Sequence, residues 1–116
     1  MVQSYKDLIV WQKSMSLVKE VYTITSKLPQ YEMYGLANQL RRAAVSIPSN
    51  IAEGQQRKST KEFLQFLRIA YGSAGEVETQ LLIAHDLYSV DIGEALATLG
   101  EVRKMLAKLL QTLEDR

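Results

Sequence analysis

The sequence has no cysteine and only two prolines, one histidine and one tryptophan among its 116 residues. Without cysteine there is no disulfide, no thiolate nucleophile and no thiolate-held metal, and a reducing cytoplasm is the expected compartment. A single histidine excludes a metal site built on several imidazoles. No run of 18 apolar residues occurs, and residues 1–11 lack a basic segment followed by a sustained apolar stretch. A soluble chain with neither membrane span nor secretory leader is therefore expected. Six glycines and two prolines are too few for a disordered or low-complexity chain.

What is present is ordinary globular composition, with 47% hydrophobic and 23% charged residues, in a length that suits one domain over residues 1–116. The net charge of +1 hides a segregation: +1 over residues 1–40, +4 over 41–61, −6 over 62–101 and +2 over 102–116. Such separation suits internal pairing, head-to-tail association or a local anion site.

Apolar residues recur with helical spacing through most of the chain. Residues 8, 11, 15, 18 and 22 form one stripe after Asp7, a suitable N-cap, while Ile9, Leu17, Val21, Ile24 and Leu28 widen the apolar arc. A first helix is predicted over 8–28, ended by Pro29. Leu36, Leu40, Ala43, Ala44, Ile47 and Ile51 predict a second helix over 33–56, with Gly54 as its terminator. Pro48 falls inside it and deletes the bond from its own nitrogen to the Ala44 carbonyl. An interior proline costs about 3 kcal/mol. Ser46, Ser49, Asn50 and Glu53 are the polar residues placed to compensate.

The third helix has the clearest start. Ser59-Thr60-Lys61-Glu62 is a capping box, and Phe63, Leu67, Ala70, Ala74, Val77, Leu81, Ala84 and Tyr88 then keep a strict heptad seam, predicting a helix over 60–88. Leu64, Phe66, Ile69 and Tyr71 add apolar surface beyond what one core buries. Asp91-Ile92-Gly93-Glu94 opens a fourth helix over 92–114, with Ile92, Leu96, Leu99, Val102, Leu106, Leu109, Leu110 and Leu113 facing inward. Four helices on short loops predict an all-α, antiparallel up-down four-helix bundle. If helices 2 and 3 pair around Lys58, residue i lies opposite roughly residue 116 − i. Ala43 and Ala44 then face Gly72 and Ser73, small against small, and Arg41 and Arg42 reach Glu76 and Glu78.

Enzymatic motifs fail on inspection. Lys58-Ser59 resembles the end of a phosphate-binding loop, but the required glycines fall at Ala52 and Arg57 and no strand precedes it. Tyr71-Gly72-Ser73-Ala74-Gly75 is one residue short of a nucleophile elbow and lies mid-helix. A di-iron pattern needs an acid three residues before His85, where the chain has Leu82. No catalytic residue, metal site or cofactor is expected, and His85 reads as a helix-face residue. Arg57, Lys58 and Lys61 have no obvious partners and sit where helix 3 begins, an end that favours anions. They are the first candidates for contact with nucleic acid, with Arg41 and Arg42 second. Ser46, Pro48, Asn50, Glu53, Gly54, Gly72, Ser73 and Glu76 read as structural, and Trp11, Phe63, Phe66 and Tyr71 as core or interface.

The run 7–13 (DLIVWQK), Tyr34-Gly35-Leu36, the stretch 39–54 (QLRRAAVSIPSNIAEG) and residues 70–76 (AYGSAGE) together resemble the bacterial four-helix-bundle family named for intervening sequences in 23S ribosomal RNA genes. That resemblance implies a bundle assembling into a ring, typically a homopentamer, which suits the excess apolar arc. It implies no established activity. The family is similar in architecture to accessory variability proteins of diversity-generating retroelements, which act beside a reverse transcriptase and bind nucleic acid through basic surface. The expected partners are therefore further copies of the chain, RNA or DNA, and a reverse transcriptase, with no membrane. A purely structural or protein-interaction oligomer is the competing expectation.

Overall fold

The computed structural model describes residues 4–116. Four helices, α1 (Ile9–Thr25), α2 (Leu36–Gln55), α3 (Thr60–Tyr88) and α4 (Gly93–Glu114), carry the fold, with short 3-10 turns at Tyr5–Asp7 and Gln30–Glu32 and no strand among the described residues. Each helix packs against its sequence neighbours, α1 also meets α4, and α2 with α3 shares the largest interface. The result is an antiparallel up-down bundle measuring 45 × 22 × 20 Å.

The predicted boundaries hold best where a cap exists. Ser59 accepts from the Glu62 amide at 3.1 Å and starts α3 as the capping box requires. Its other half differs, because the Glu62 carboxylate takes the Ser59 hydroxyl at 3.0 Å. Asp7 does not cap α1: it ends the 3-10 turn, which Ser4 caps through the Lys6 amide, and α1 begins after Leu8. The same helix ends at Thr25 rather than 28, since Pro29 disfavours helical backbone before it. Thr25 and Ser26 return their hydroxyls to the carbonyls of Tyr22 and Thr23. α2 starts at Leu36, not 33, where Glu32 accepts the Leu36 amide at 3.1 Å. α3 stops on Ser89, a left-handed residue at φ 57° that donates to the His85 carbonyl.

The heptad seam of α3 is buried as expected at Leu67, Ala70, Ala74, Val77, Leu81 and Ala84. On α1 the core stripe is instead Val10, Ser14, Leu17, Val21 and Ile24. Ser14 enters the core because its hydroxyl is satisfied by the Val10 carbonyl at 2.7 Å. The predicted stripe through Trp11, Met15, Val18 and Tyr22 lies to one side, and its first three members line a shallow apolar groove with Val45 and Pro48.

Two structural readings of the sequence are corrected. Gly54 is buried inside α2, and no described glycine has positive φ, so it terminates nothing. A Cβ there would stand 2.8 Å from Phe66 Cβ and 2.9 Å from Phe63 Cδ1; the glycine admits α3 to the helix surface. Gly72, the predicted close approach, has no neighbour within 4 Å of such a Cβ, and neither does Gly75. Ser73 is the small residue that meets α2, through a 2.9 Å hydrogen bond with Ser46.

Candidate nucleic-acid interface

The basic turn joins α2 to α3 at one end of the bundle. Arg57 is held there by Glu53, one helical turn back, at 2.9 Å and approaches Glu62 at 3.9 Å. Its guanidinium lies over the Phe66 ring, 5.0 Å from the centroid. The expectation that Arg57 lacks a partner is thus overturned, because two carboxylates fall within reach along the helices that flank it. Glu53 serves this pair and not Pro48. Lys58 and Lys61 are exposed and make no ion pair among the described residues, so the turn offers two cations beside the first amides of α3.

The second pair of candidates separates. Arg41 Nε donates to Thr25 Oγ1 at 2.8 Å, and its guanidinium lies 4.7 Å from the Tyr22 ring centroid. It braces α1 against α2 and does not reach Glu76 or Glu78. Glu78 is taken by Arg103 of α4 at 2.6 Å, with Tyr71 beneath the guanidinium at 5.4 Å. Hydrogen bonding to Tyr71, ahead of the Glu78 charge, raises the Arg103 pKa above its usual range. Arg42 is exposed and makes no ion pair with Glu76, although both edge the same depression between α2 and α3.

That depression has a volume of about 340 Å³. Its floor is the Ser46–Ser73 bond, and Asn50 Nδ2 braces it with bonds of 2.8 Å to the Ser46 carbonyl and 2.9 Å to its hydroxyl. These bonds fix Ser46; no described side-chain bond reaches the Ala44 carbonyl that Pro48 frees, so the expected compensation is not of that form. Gln80 closes the far wall, and its Oε1 is buried with no hydrogen-bond partner. Sequence reasoning missed Gln80 and Asn38. Their only signal was the helical spacing that puts residue 80 one turn from Glu76 and residue 38 one turn from Arg42.

At the opposite end, Glu32 accepts from both the Leu36 amide and the Tyr88 hydroxyl. The Tyr88 bond, then the Leu36 amide, lowers the Glu32 pKa, and the Tyr88 phenol is pushed up, first by Glu32 and then by Tyr31. Glu20 between α1 and α4 is raised by burial, with neighbouring Glu94 and Glu101 adding to the effect and a Thr98 hydrogen bond opposing it. His85 is exposed and meets the Val90 carbonyl at 3.0 Å. No described helix is long and apolar enough to cross a membrane.

The sequence profile of the 23S rRNA-intervening sequence proteins matches residues 6–110. No curated protein matches the chain. Among solved structures, a protein of unknown function from the S23 ribosomal protein family of Bacteroides thetaiotaomicron is similar in fold. Its TM-score is 0.78 at 22% identity, over 89% of this chain and 96% of that one. The bundle, its four-helix order and the profile match over nearly its whole length agree: this chain belongs to the 23S rRNA-intervening sequence protein family.

Proposed function

We propose that this protein is a non-enzymatic, ring-forming helical bundle that binds nucleic acid, structured RNA foremost, through cations the fold leaves unpaired. The observation that carries the reading is the turn after α2, where Lys58 and Lys61 stand exposed and unpaired beside the N-terminus of α3. Arg42 adds a third free cation on the α2 surface, while Arg57 and Arg41 hold the scaffold. Two phosphate contacts per subunit amount to about ten in a pentamer, enough for steep salt dependence. An accessory role beside a reverse transcriptase belongs to the same reading, on the architectural similarity to accessory variability proteins.

The test is the affinity for a structured RNA between 50 and 200 mM salt, followed by fluorescence anisotropy. A loss of several orders of magnitude over that range is expected. Lys58→Ala/Lys61→Ala should weaken binding and flatten the slope, by up to about 0.9 for each phosphate no longer neutralised. Affinity that ignores salt, or ignores these two lysines, removes the reading.

One observation favours assembly without nucleic acid. Tyr34 is 91%, Leu87 63% and Ile9 60% exposed, apolar side chains that a neighbouring subunit could cover. Under that reading the chain is a structural oligomer, and sedimentation should show subunit association unaffected by RNA. A monomer at micromolar concentration would remove the ring from both readings.

A further inference from the structure

We infer that the depression between α2 and α3 is a recognition site for an unpaired guanine base, with Arg42 and Glu76 reading two edges of the ring. The inference rests on the nucleic-acid reading above and gives that reading a base-specific element.

The wall chemistry is of two kinds. Arg42 presents donors only and Glu76 acceptors only, both are exposed, and neither has a partner among the described residues. An occupant must therefore offer acceptors on one side and donors on the other. A phosphate has no donors and would be repelled by the Glu76 carboxylate, so the site is not a second phosphate contact. Guanine places O6 and N7 side by side for the forked N–H pair of an arginine. Its N1–H and N2–H₂ stand side by side for the two oxygens of a carboxylate. No other common base offers both pairs, because adenine has no adjacent acceptors of that kind and cytosine only one such donor group. The donor edge is consumed in a duplex, so the base must come from a loop, bulge or end.

Three further features fit that occupant. The volume of about 340 Å³ lies within the range of roughly 300–1,000 Å³ typical of ligand sites. The Ser46–Ser73 bond and the Asn50 brace give the site a fixed floor. Gln80 Oε1 is buried without a partner. When the carboxamide turns outward, it accepts from the guanine exocyclic amine.

The experiment is a titration with guanosine 5′-monophosphate, followed by NMR at the side-chain amides of Asn38, Gln39 and Gln80. Inosine and adenosine monophosphates serve as comparisons. Saturable shifts are expected with the guanine nucleotide. The inosine nucleotide, which lacks the 2-amino group, should bind several-fold more weakly, and the adenine nucleotide about tenfold or more weakly. Arg42→Ala and Glu76→Gln should each cost about tenfold without changing the thermal melt, since neither side chain has a structural partner. Equal shifts with all three nucleotides would mean a phosphate contact and overturn the site. A change of subunit number in either variant, with no nucleotide shifts in the wild type, would assign the notch to a neighbouring copy and also overturn it. A second arm compares a hairpin RNA carrying guanine or adenine in its loop. Salt-steep binding indifferent to the loop base sinks the guanine site and leaves the phosphate reading standing. Guanine-dependent amide shifts without RNA affinity keep the site and remove the phosphate reading.

Discussion

At the turn end of the α2–α3 seam, Gly54 lets α3 close on the helix surface, and Arg57, though exposed, pairs with Glu53, approaches Glu62 and lies over Phe66. Three to four turns back along α2, Arg42, Glu76 and Gln80 surround an open depression; among the described residues Arg42 and Glu76 make no ion pair and Gln80 Oε1 has no hydrogen-bond partner. Charge density in the sequence points to the first region, because arginine and lysine cluster there. Available charge is found as much in the second. Within the cation cluster only Arg57, with carboxylates at helical spacing, is paired, and Lys58 and Lys61 stay free; Arg42, beside Ser46, Ser73, Glu76 and Gln80, makes no ion pair among the described residues either. The glycines follow the same division: the one that looked like a terminator is sterically required, and the two that looked like a packing motif meet no neighbour.

Substitution separates the two regions, and the largest effect is expected at Gly54. Gly54→Ala should destabilise the bundle by about 1–3 kcal/mol, as overpacking does, since Phe63 and Phe66 must both shift. Urea unfolding would measure it; a neutral result would mean that the seam is looser than drawn. Gly72→Ala and Gly75→Ala should each stabilise by about 0.5–1 kcal/mol, through helix propensity alone. If either destabilises, a partner surface approaches there.

Arg57→Ala should cost less than about 1 kcal/mol, because its ion pairs are largely exposed. A double-mutant cycle with Glu53→Ala should show positive coupling, against none between Arg42 and Glu76. Smallest is the acid response of the distant clamp. The Glu32 pKa is depressed, so its contribution is full above the ordinary carboxylate pKa of about 4.3 and fades as pH falls through the lower folded value. The Tyr88 phenol is raised, so its share is full below about pH 10 and fades above it. Urea midpoints at pH 7, 4 and 3 should show a fall absent from Glu32→Gln, and Tyr88→Phe should lose the alkaline limb.

The helices were legible in the sequence because periodicity and caps are local: the α3 seam needed only the spacing of Leu67, Ala70, Ala74 and Val77. Register was not local, and it decided the site. A hairpin folded about Lys58 puts residues 70 and 62 opposite Ser46 and Gly54; the observed partners are Ser73 and Phe66. The Ser46–Ser73 offset of three residues is close to one helical turn, which keeps the same face of α3 toward α2 and changes which residue stands opposite each α2 position. On α1, two apolar stripes were visible, and only tertiary packing chose Val10, Leu17 and Val21 over Met15 and Tyr22 for the core. Arg41 was unreadable for the same reason, since its anchor Thr25 belongs to another helix.

The rigid rod of α2 also acts as a ruler. About 20 Å of helix separates Arg42 from the helix end at Gln55, where the lysine turn begins. Under the proposed reading a strand must cover that distance to contact the lysine turn and the notch together, and affinity should rise in a step when an RNA fragment becomes long enough to bridge them.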